Sequence, residues 1–223
     1  MELNFFKAST RKPSERTQLC KEVTPDMFSE DYMNFGYDYF DNEKYFVGYH
    51  GYNYDGRFRK TAEKIVEYYK LEKGSKILEI GCAKGYLLVE FHYLGMDVFG
   101  IDLSEYAVNH AHSDIKNKIK IGRLSDMEFD DNYFDFILSK ELLPHLKMDE
   151  LLKFLGETQR ISKGKIFHMI QCGRNEKELE LMKKWDHTHQ ILMTPSKWIQ
   201  FFKKHSYNCD YQFKILAIPE VIK

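Results

Sequence analysis

The chain has 223 residues, 43% of them hydrophobic and 30% charged. That balance suits one globular core with a modest extension, and it excludes a disordered chain or a mini-scaffold held by disulfides. No apolar run reaches the roughly 18 residues of a membrane span, the first residues lack an apolar signal region, and 33 basic against 34 acidic side chains leave a formal charge of -1. A cytoplasmic protein with neither a membrane nor a nucleic-acid partner is the expectation.

Residues 1 to 56 show no sustained helical or strand period, and seven of the 15 tyrosines crowd between Tyr32 and Tyr54. This stretch is read as an irregular aromatic cap, and residues 57 to 223 as the domain it covers. From Arg57 onward Ala62, Ile65, Val66 and Tyr69 recur at helical spacing until Lys73-Gly74. The apolar run Lys76 to Ile80 then predicts a strand, Tyr86 to Tyr93 a helix and Asp97 to Ile101 a strand, which together make a βαβ unit. The alternation continues with a helix over Glu105 to His112, strands at Ile119 to Ile121 and Phe134 to Leu138, a helix over Leu151 to Ile161 and a strand from Gly164 to Ile170. Helices near 176 to 184 and 195 to 205 and a strand near 211 to 217 complete it. Such a pattern predicts an α/β fold, a parallel sheet covered on both faces with ligands at the carboxyl ends of its strands. Cys20, Cys82, Cys172 and Cys209 form no CxxC pair and read as free thiols.

The first strand runs into Gly81-Cys82-Ala83-Lys84-Gly85-Tyr86. A turn between strand and helix gathers backbone N–H groups, and glycine lets a ligand approach them. Tyr86 stands where a dinucleotide fingerprint needs glycine or alanine, and no Lys-Ser/Thr pair follows Gly85 to make a P-loop. Asp102 ends the second strand 21 residues after Gly81. Its carboxylate can accept bonds from both hydroxyls of a ribose, or else serve as a turn residue before Ser104.

These blocks resemble the class I S-adenosylmethionine-dependent methyltransferases. Lys76 through Gly85 is similar to their first motif, Gly100-Ile101-Asp102-Leu103-Ser104 to their second, Asp126 through Asp135 to their third, and Ser139 through Leu146 to the segment after the fourth strand. The resemblance implies a Rossmann-like, mostly parallel sheet of seven strands with helices on both faces, under the N-terminal cap. It also implies S-adenosyl-L-methionine as cofactor, with Glu79, Gly81, Cys82, Ala83 and Gly85 bordering the methionine moiety, Asp102 on the ribose, and Leu103, Leu124 and Ser125 flanking the adenine. Arg123 stands where the family commonly has an acid, so Ser125, Asp126 or the backbone is left to read the adenine amino group; Ser139 completes the cofactor set.

The flanks, Phe6 to Arg11, Phe35 to Asp41 and Gly51 to Phe58, together with Arg174 to Leu179, Trp185 and Thr194 to Trp198, resemble the small bacterial methyltransferases of capsule and surface-polysaccharide gene clusters. That narrower likeness implies a small acceptor containing sugar or phosphate, with a homodimer left open. Tyr54 is placed over the cofactor loop, Arg57 on the methionine carboxylate, and Tyr52 and His189 in the acceptor pocket. A tyrosine-rich segment packed on the sheet edge is the alternative.

Methyl transfer from a sulfonium releases a neutral leaving group, so the protein mainly positions, desolvates and accepts a proton. His145 is the candidate base, with Glu141 one helical turn before it, although a histidine satisfied in the core fits the same position. Glu141 and His145 are related to an E-x-x-E-H metal-binding pattern in which Pro144 replaces the second acid, and no metal is expected, although His187 or His189 could complete a set; in an extended segment those two share a face and line the acceptor pocket, with a solvated loop as the alternative. RNA or protein methylation, or cofactor binding without turnover, are the other classes weighed.

Overall fold

Six parallel strands run through the computed structural model, which describes residues 1–6, 28–43, 48–49, 51–126 and 128–215. Lys7 to Arg11 of the flanking likeness, Cys20, and the expected last strand beyond 215 lie outside the described residues. The strands are β1 (Lys76–Ile80), β2 (Asp97–Asp102), β3 (Ile119–Ile121), β4 (Phe136–Lys140), β5 (Ile166–Cys172) and β6 (Asp210–Ile215), in the order β3-β2-β1-β4-β5-β6. Among the described residues the α-helices are α1 (Glu30–Met33), α2 (Tyr37–Phe40), α3 (Arg59–Tyr69), α4 (Leu88–Tyr93), α5 (Glu105–Asn109), α6 (Met148–Ile161), α7 (Glu176–Trp185) and α8 (Pro195–Lys204). None of the described helices is long and apolar enough to cross a membrane.

The expectation of seven strands is corrected to six among the described residues, and every pairing is parallel. β6 pairs directly with β5, from Phe167 opposite Asp210 to Cys172 opposite Ile215. Its outer edge is taken by the chain's own start: Glu2 bridges Tyr211, and Leu3 N–H donates to the Tyr211 carbonyl at 2.7 Å. That pairing covers backbone groups an edge strand would otherwise expose. The expected strand at Phe134 begins two residues later, because fully buried Phe134 makes only an isolated bridge to Ser162. An apolar run reports burial before it reports a ladder.

Because the sheet is covered on both faces, alternate residues of one strand enter two cores. Ile77 packs with Ala62, Ile65, Leu88 and Phe91, while Leu78 and Ile80 pack with Leu151, Leu155 and Trp198. Each large side chain so buried is worth roughly 1.5 to 3 kcal/mol. Phe5 and Phe6 lie over Phe167 with ring centroids 5.2 and 6.1 Å away. The first residues are thus part of the core, more regular than the cap reading allowed.

Strand order reverses direction between β1 and β4, which opens a crevice beyond their carboxyl ends. The turns after β1, β2 and β4 carry Gly81, Asp102 and Glu141 into it. The described cap residues from 28 onward fold over this end. Buried Tyr32, Tyr39, Phe40 and Tyr52 pack ring to ring, and Tyr52 meets Tyr86 of the glycine turn at 4.7 Å.

Candidate active site

The turn after β1 is held by the strand beside it. Gly81 has φ of 72°, and its N–H donates to the Ile101 carbonyl at 2.8 Å. A Cβ there would lie 3.1 Å from Leu142 Cδ1. Ala83, also left-handed at φ 51°, donates its N–H to Asp102 Oδ2 at 2.6 Å, while Ser104 N–H donates to Oδ1 at 2.8 Å. Burial pushes the Asp102 carboxyl up, and the N–H groups of Ser104, Ala83 and Leu103 partly pull it back. Each oxygen still has a lone pair for a ligand.

Asp102 opens onto a cavity of about 1180 Å³. Gly81, Ala83, Leu103, Leu124 and Ser125 border its near end; Lys140, Glu141, His145, Gln171, Asp186 and Thr188 border the far end, roofed by Phe35, Tyr39, Phe40 and Tyr49 of the cap. The cavity is large enough for a nucleoside-sized ligand and a second small molecule.

The far end is assembled from segments distant in sequence. His145 sits on a short 3-10 turn, Leu143–His145, whose Pro144 carbonyl accepts from Gln190 and Ile191 N–H at 2.8 and 3.0 Å. That clamp brings Asp186-His187-Thr188-His189 alongside. Thr188 Oγ1 stands 2.9 Å from His145 Nδ1 and 2.6 Å from Asp186 Oδ1. Burial pushes the His145 imidazole down to about 4, with Asp186 opposing and His189 adding. His189 Nε2 meets Gln171 Oε1 at 2.9 Å, and its buried Nδ1 has no partner. His187 does not share a face with His189, because the chain turns there; it stacks outward on Phe28 at 3.7 Å. His145, Asp186 and His189 bring ligand-type atoms within 4.8 Å of one another, whereas atoms sharing one zinc ion stand about 3.3 Å apart. Glu141, left-handed at φ 63°, receives Lys214 Nζ on both oxygens at 2.8 Å and Gln171 Nε2 as well.

Residues 52–211 match the family described as methyltransferase domain. The chain belongs to that family. It is 29% identical over 180 residues to the ubiquinone biosynthesis O-methyltransferase of Pelagibacter ubique, covering 67% of this chain and 71% of that protein. Over 97 residues it is 30% identical to phosphoethanolamine N-methyltransferase 3 of Arabidopsis thaliana, covering 40% of this chain but only 19% of the relative. The solved YcgJ protein of Bacillus subtilis superposes with a TM-score of 0.55 at 17% identity, over 65% of this chain and 66% of the other, a likeness of fold. The protein is therefore an S-adenosylmethionine-dependent methyltransferase.

The methyltransferase's own residues fit that cofactor. Glu79 lies buried beneath the glycine turn with Oε2 unpartnered, and its carboxyl is pushed up to about 8 by burial, with Lys140 opposing and Asp102 adding. An orphaned buried carboxyl oxygen beside a turn whose glycine a Cβ would crowd suits a ligand that brings a cationic amine. Cys82 and Gly85 shape the turn from behind: Cys82 Sγ would meet a Cβ on Gly100 at 2.9 Å, and a Cβ on Gly85 would meet Ile115 Cδ1 at 2.5 Å.

Glu79, Cys82 and Gly85, and the two expected acceptor-pocket residues Tyr52 and His189, do not line the cavity themselves, and other expected site residues also stand away from its wall. Asp126 caps its own turn, accepting from Arg123 N–H at 2.9 Å. Arg57 is forked onto Asp55, with Nε 2.8 Å from both carboxylate oxygens. The Tyr54 hydroxyl donates to Glu90 Oε1 at 2.8 Å. Ser139 is fully buried in a polar chain: its Oγ–H meets His168 Nδ1 at 2.8 Å, His168 Nε2 meets the Tyr207 hydroxyl at 2.7 Å, and that hydroxyl meets Thr158 Oγ1 at 2.8 Å. Tyr207→Phe should strand the His168 N–H and cost about 1 to 2 kcal/mol of stability in urea unfolding, with an unchanged m-value.

Lys84 was missed by the sequence reading. Only 4% exposed, it points out of the glycine turn into the cap, where Nζ donates to Asp41 Oδ2 at 2.5 Å and to the Tyr52 carbonyl at 2.9 Å. Asp41 also accepts from the Tyr106 hydroxyl at 2.7 Å and from Tyr52 N–H at 3.0 Å. Burial raises the Asp41 carboxyl, but these donors, Lys84 first, hold it below its usual range. The signal for this latch was a lysine inside a turn that must itself be buried. Lys84→Met should cost about 3 kcal/mol, the low end for a buried pair because Asp41 keeps its Tyr106 and Tyr52 donors, and leave the cap's amides, residues 30 to 43, exchanging faster with deuterium.

Proposed function

We propose that this methyltransferase moves the methyl group of S-adenosylmethionine to an oxygen of a small polar acceptor, a nucleotide-linked sugar or a capsule or surface-glycan precursor, with nitrogen as second choice. The observation that carries the reading is one continuous cavity with a ribose-type carboxylate, Asp102, at one end and a cluster of polar and basic side chains around His145 at the other. The names of the two relatives support a small acceptor, one O-methylated and the other N-methylated.

In this reading Glu79 and the Gly81 to Gly85 turn hold the methionine end, Asp102 the ribose, and Leu103, Leu124 and Ser125 the adenine. The cofactor supplies a methyl group on a positively charged sulfur that leaves as a neutral thioether, so the proton released by an acceptor hydroxyl must be taken by the protein. His145 is the residue assigned to take it. Phe35, Tyr39, Phe40 and Tyr49 exclude water above, and Tyr52 holds the roof through Lys84. The acceptor end offers Lys140 and Gln171 as donors, which suits an oxygen-rich or phosphorylated molecule.

The test is incubation of purified protein with methyl-labelled donor and separate panels of nucleotide sugars, phosphoramidates and RNA. Label in the nucleotide-sugar panel is the expected result. Label confined to RNA would overturn the acceptor class, and no label in any panel would leave a cofactor-binding protein without this reaction.

A further inference from the structure

Thr188 has a single hydroxyl proton and two close partners. Asp186 Oδ1, 2.6 Å away, belongs to a carboxylate that only accepts, and it also takes the Thr188 backbone N–H at 2.9 Å. The hydroxyl proton therefore points at Asp186. What remains toward His145 is an oxygen lone pair 2.9 Å from Nδ1, so Nδ1 must be the protonated nitrogen of the ring. Asp186 and Thr188 are both 3% exposed, which keeps water from competing for these bonds. We propose that Asp186 and Thr188 form a positioning relay that holds His145 as its Nδ1–H tautomer and leaves the Nε2 lone pair to take the acceptor's proton.

The inference rests on the reading of His145 as the proton acceptor. When an acceptor hydroxyl gives its proton to Nε2, the ring becomes a cation that keeps its Nδ1–H bond to Thr188. The Asp186 charge beyond it then stabilises that cation. The groups around the ring fall into two sets. Asp186, Glu141 and the Thr188 backbone carbonyl favour the cation, while His189, its ring 4.8 Å away, opposes it, with Phe35 edge-on at 5.8 Å. Behind Asp186, burial first and the Asp186 charge second push the Tyr32 and Tyr39 hydroxyls up, so both stay neutral in the cap. Gln171 Nε2 donates to Glu141, so its Oε1 accepts from His189 Nε2–H and that ring stays the opposite tautomer.

The first measurement needs no acceptor. In protein labelled with nitrogen-15 histidine, the His145 signals, assigned by their loss in His145→Gln, should show Nδ1 protonated and Nε2 unprotonated. An Nε2–H tautomer in the wild type overturns the relay. Thr188→Val should lose that tautomer preference and slow methyl transfer roughly tenfold, a part of the 10²- to 10⁴-fold a positioned base supplies, at unchanged acceptor KM and unchanged S-adenosylhomocysteine affinity. The rate is read on whichever panel acceptor turns over fastest, and Thr188→Ser should restore it. Asp186→Asn should move the acid limb of kcat/KM to lower pH, because the charge that favours the imidazolium is gone. Full activity in Thr188→Val, or an unmoved limb in Asp186→Asn, counts against the relay, as would transfer that requires added zinc and stops with chelator. Full activity in His145→Gln instead overturns the base reading, while the wild-type spectrum still decides the tautomer.

Discussion

Asp102→Ala is expected to weaken S-adenosylhomocysteine binding by about 2 to 3 kcal/mol, roughly 30- to 150-fold, in titration calorimetry. Two effects add. The carboxylate ends β2 at the cavity wall, where hydrogen bonds from ribose hydroxyls to a charged acceptor are worth more than neutral ones. It also pins the glycine turn through Ala83 N–H at 2.6 Å, in a left-handed conformation that alanine adopts only when held. Asp102→Asn separates the two. Its carbonyl oxygen can keep one backbone N–H, but its amide then faces the other donor, so the loss should approach that of alanine with less change in thermal stability. Unaltered affinity in the alanine variant would remove the ribose assignment.

The part of the site around the glycine turn was legible because it is local. Gly81, Ala83 and Asp102 come from two consecutive strand ends, and a βαβ unit brings strand ends together wherever it occurs. Strand runs such as Ile77 to Ile80 were equally plain, since a strand buried on both faces reads as continuous apolar residues. Phe134 was misread for the same reason: it is buried without being laddered.

The contacts that surround His145 were not legible, and distance along the chain is the cause. Thr188 reaches His145 across 43 residues, Gln171 reaches His189 across 18, and Lys84 reaches Asp41 across 43. No period or spacing links such pairs. The polar run from Asp186 to His189 did carry a local cue, an Asp accepting from the N–H two residues on, which marks a turn rather than the extended segment assumed. Ser139 was placed by block position, whereas the strand's alternation turns its side chain toward His168. That the described residues carry six strands and not seven has a comparable origin: the partner beside β6 is the chain's first residues, more than 200 positions away.

His145→Gln should lower methyl transfer by roughly 10²- to 10⁴-fold and leave S-adenosylhomocysteine affinity where it was. Glutamine keeps a polar side chain of similar reach but cannot take a proton, and His145 stands at the opposite end of the cavity from Asp102. The pH dependence follows from burial. With the imidazole pushed down to about 4 by loss of solvent, partly opposed by Asp186, the ring is already unprotonated at neutral pH. It therefore needs no activation, and protons compete with it only in acid. With the methyl donor saturating, so that the Glu79 carboxyl is already engaged, the wild-type kcat/KM for the acceptor should stay level from about pH 8 to pH 6 and decline only as the pH falls toward the imidazole's own value, since that ratio reports the enzyme before the acceptor binds. A limb near 6.5, the value of an exposed histidine, would mean that the titrating group is solvated and is not this one. Loss of the acid limb in His145→Gln, at its low residual rate, would tie the limb to this ring; persistence of the limb with undiminished turnover would place the base elsewhere along the cavity.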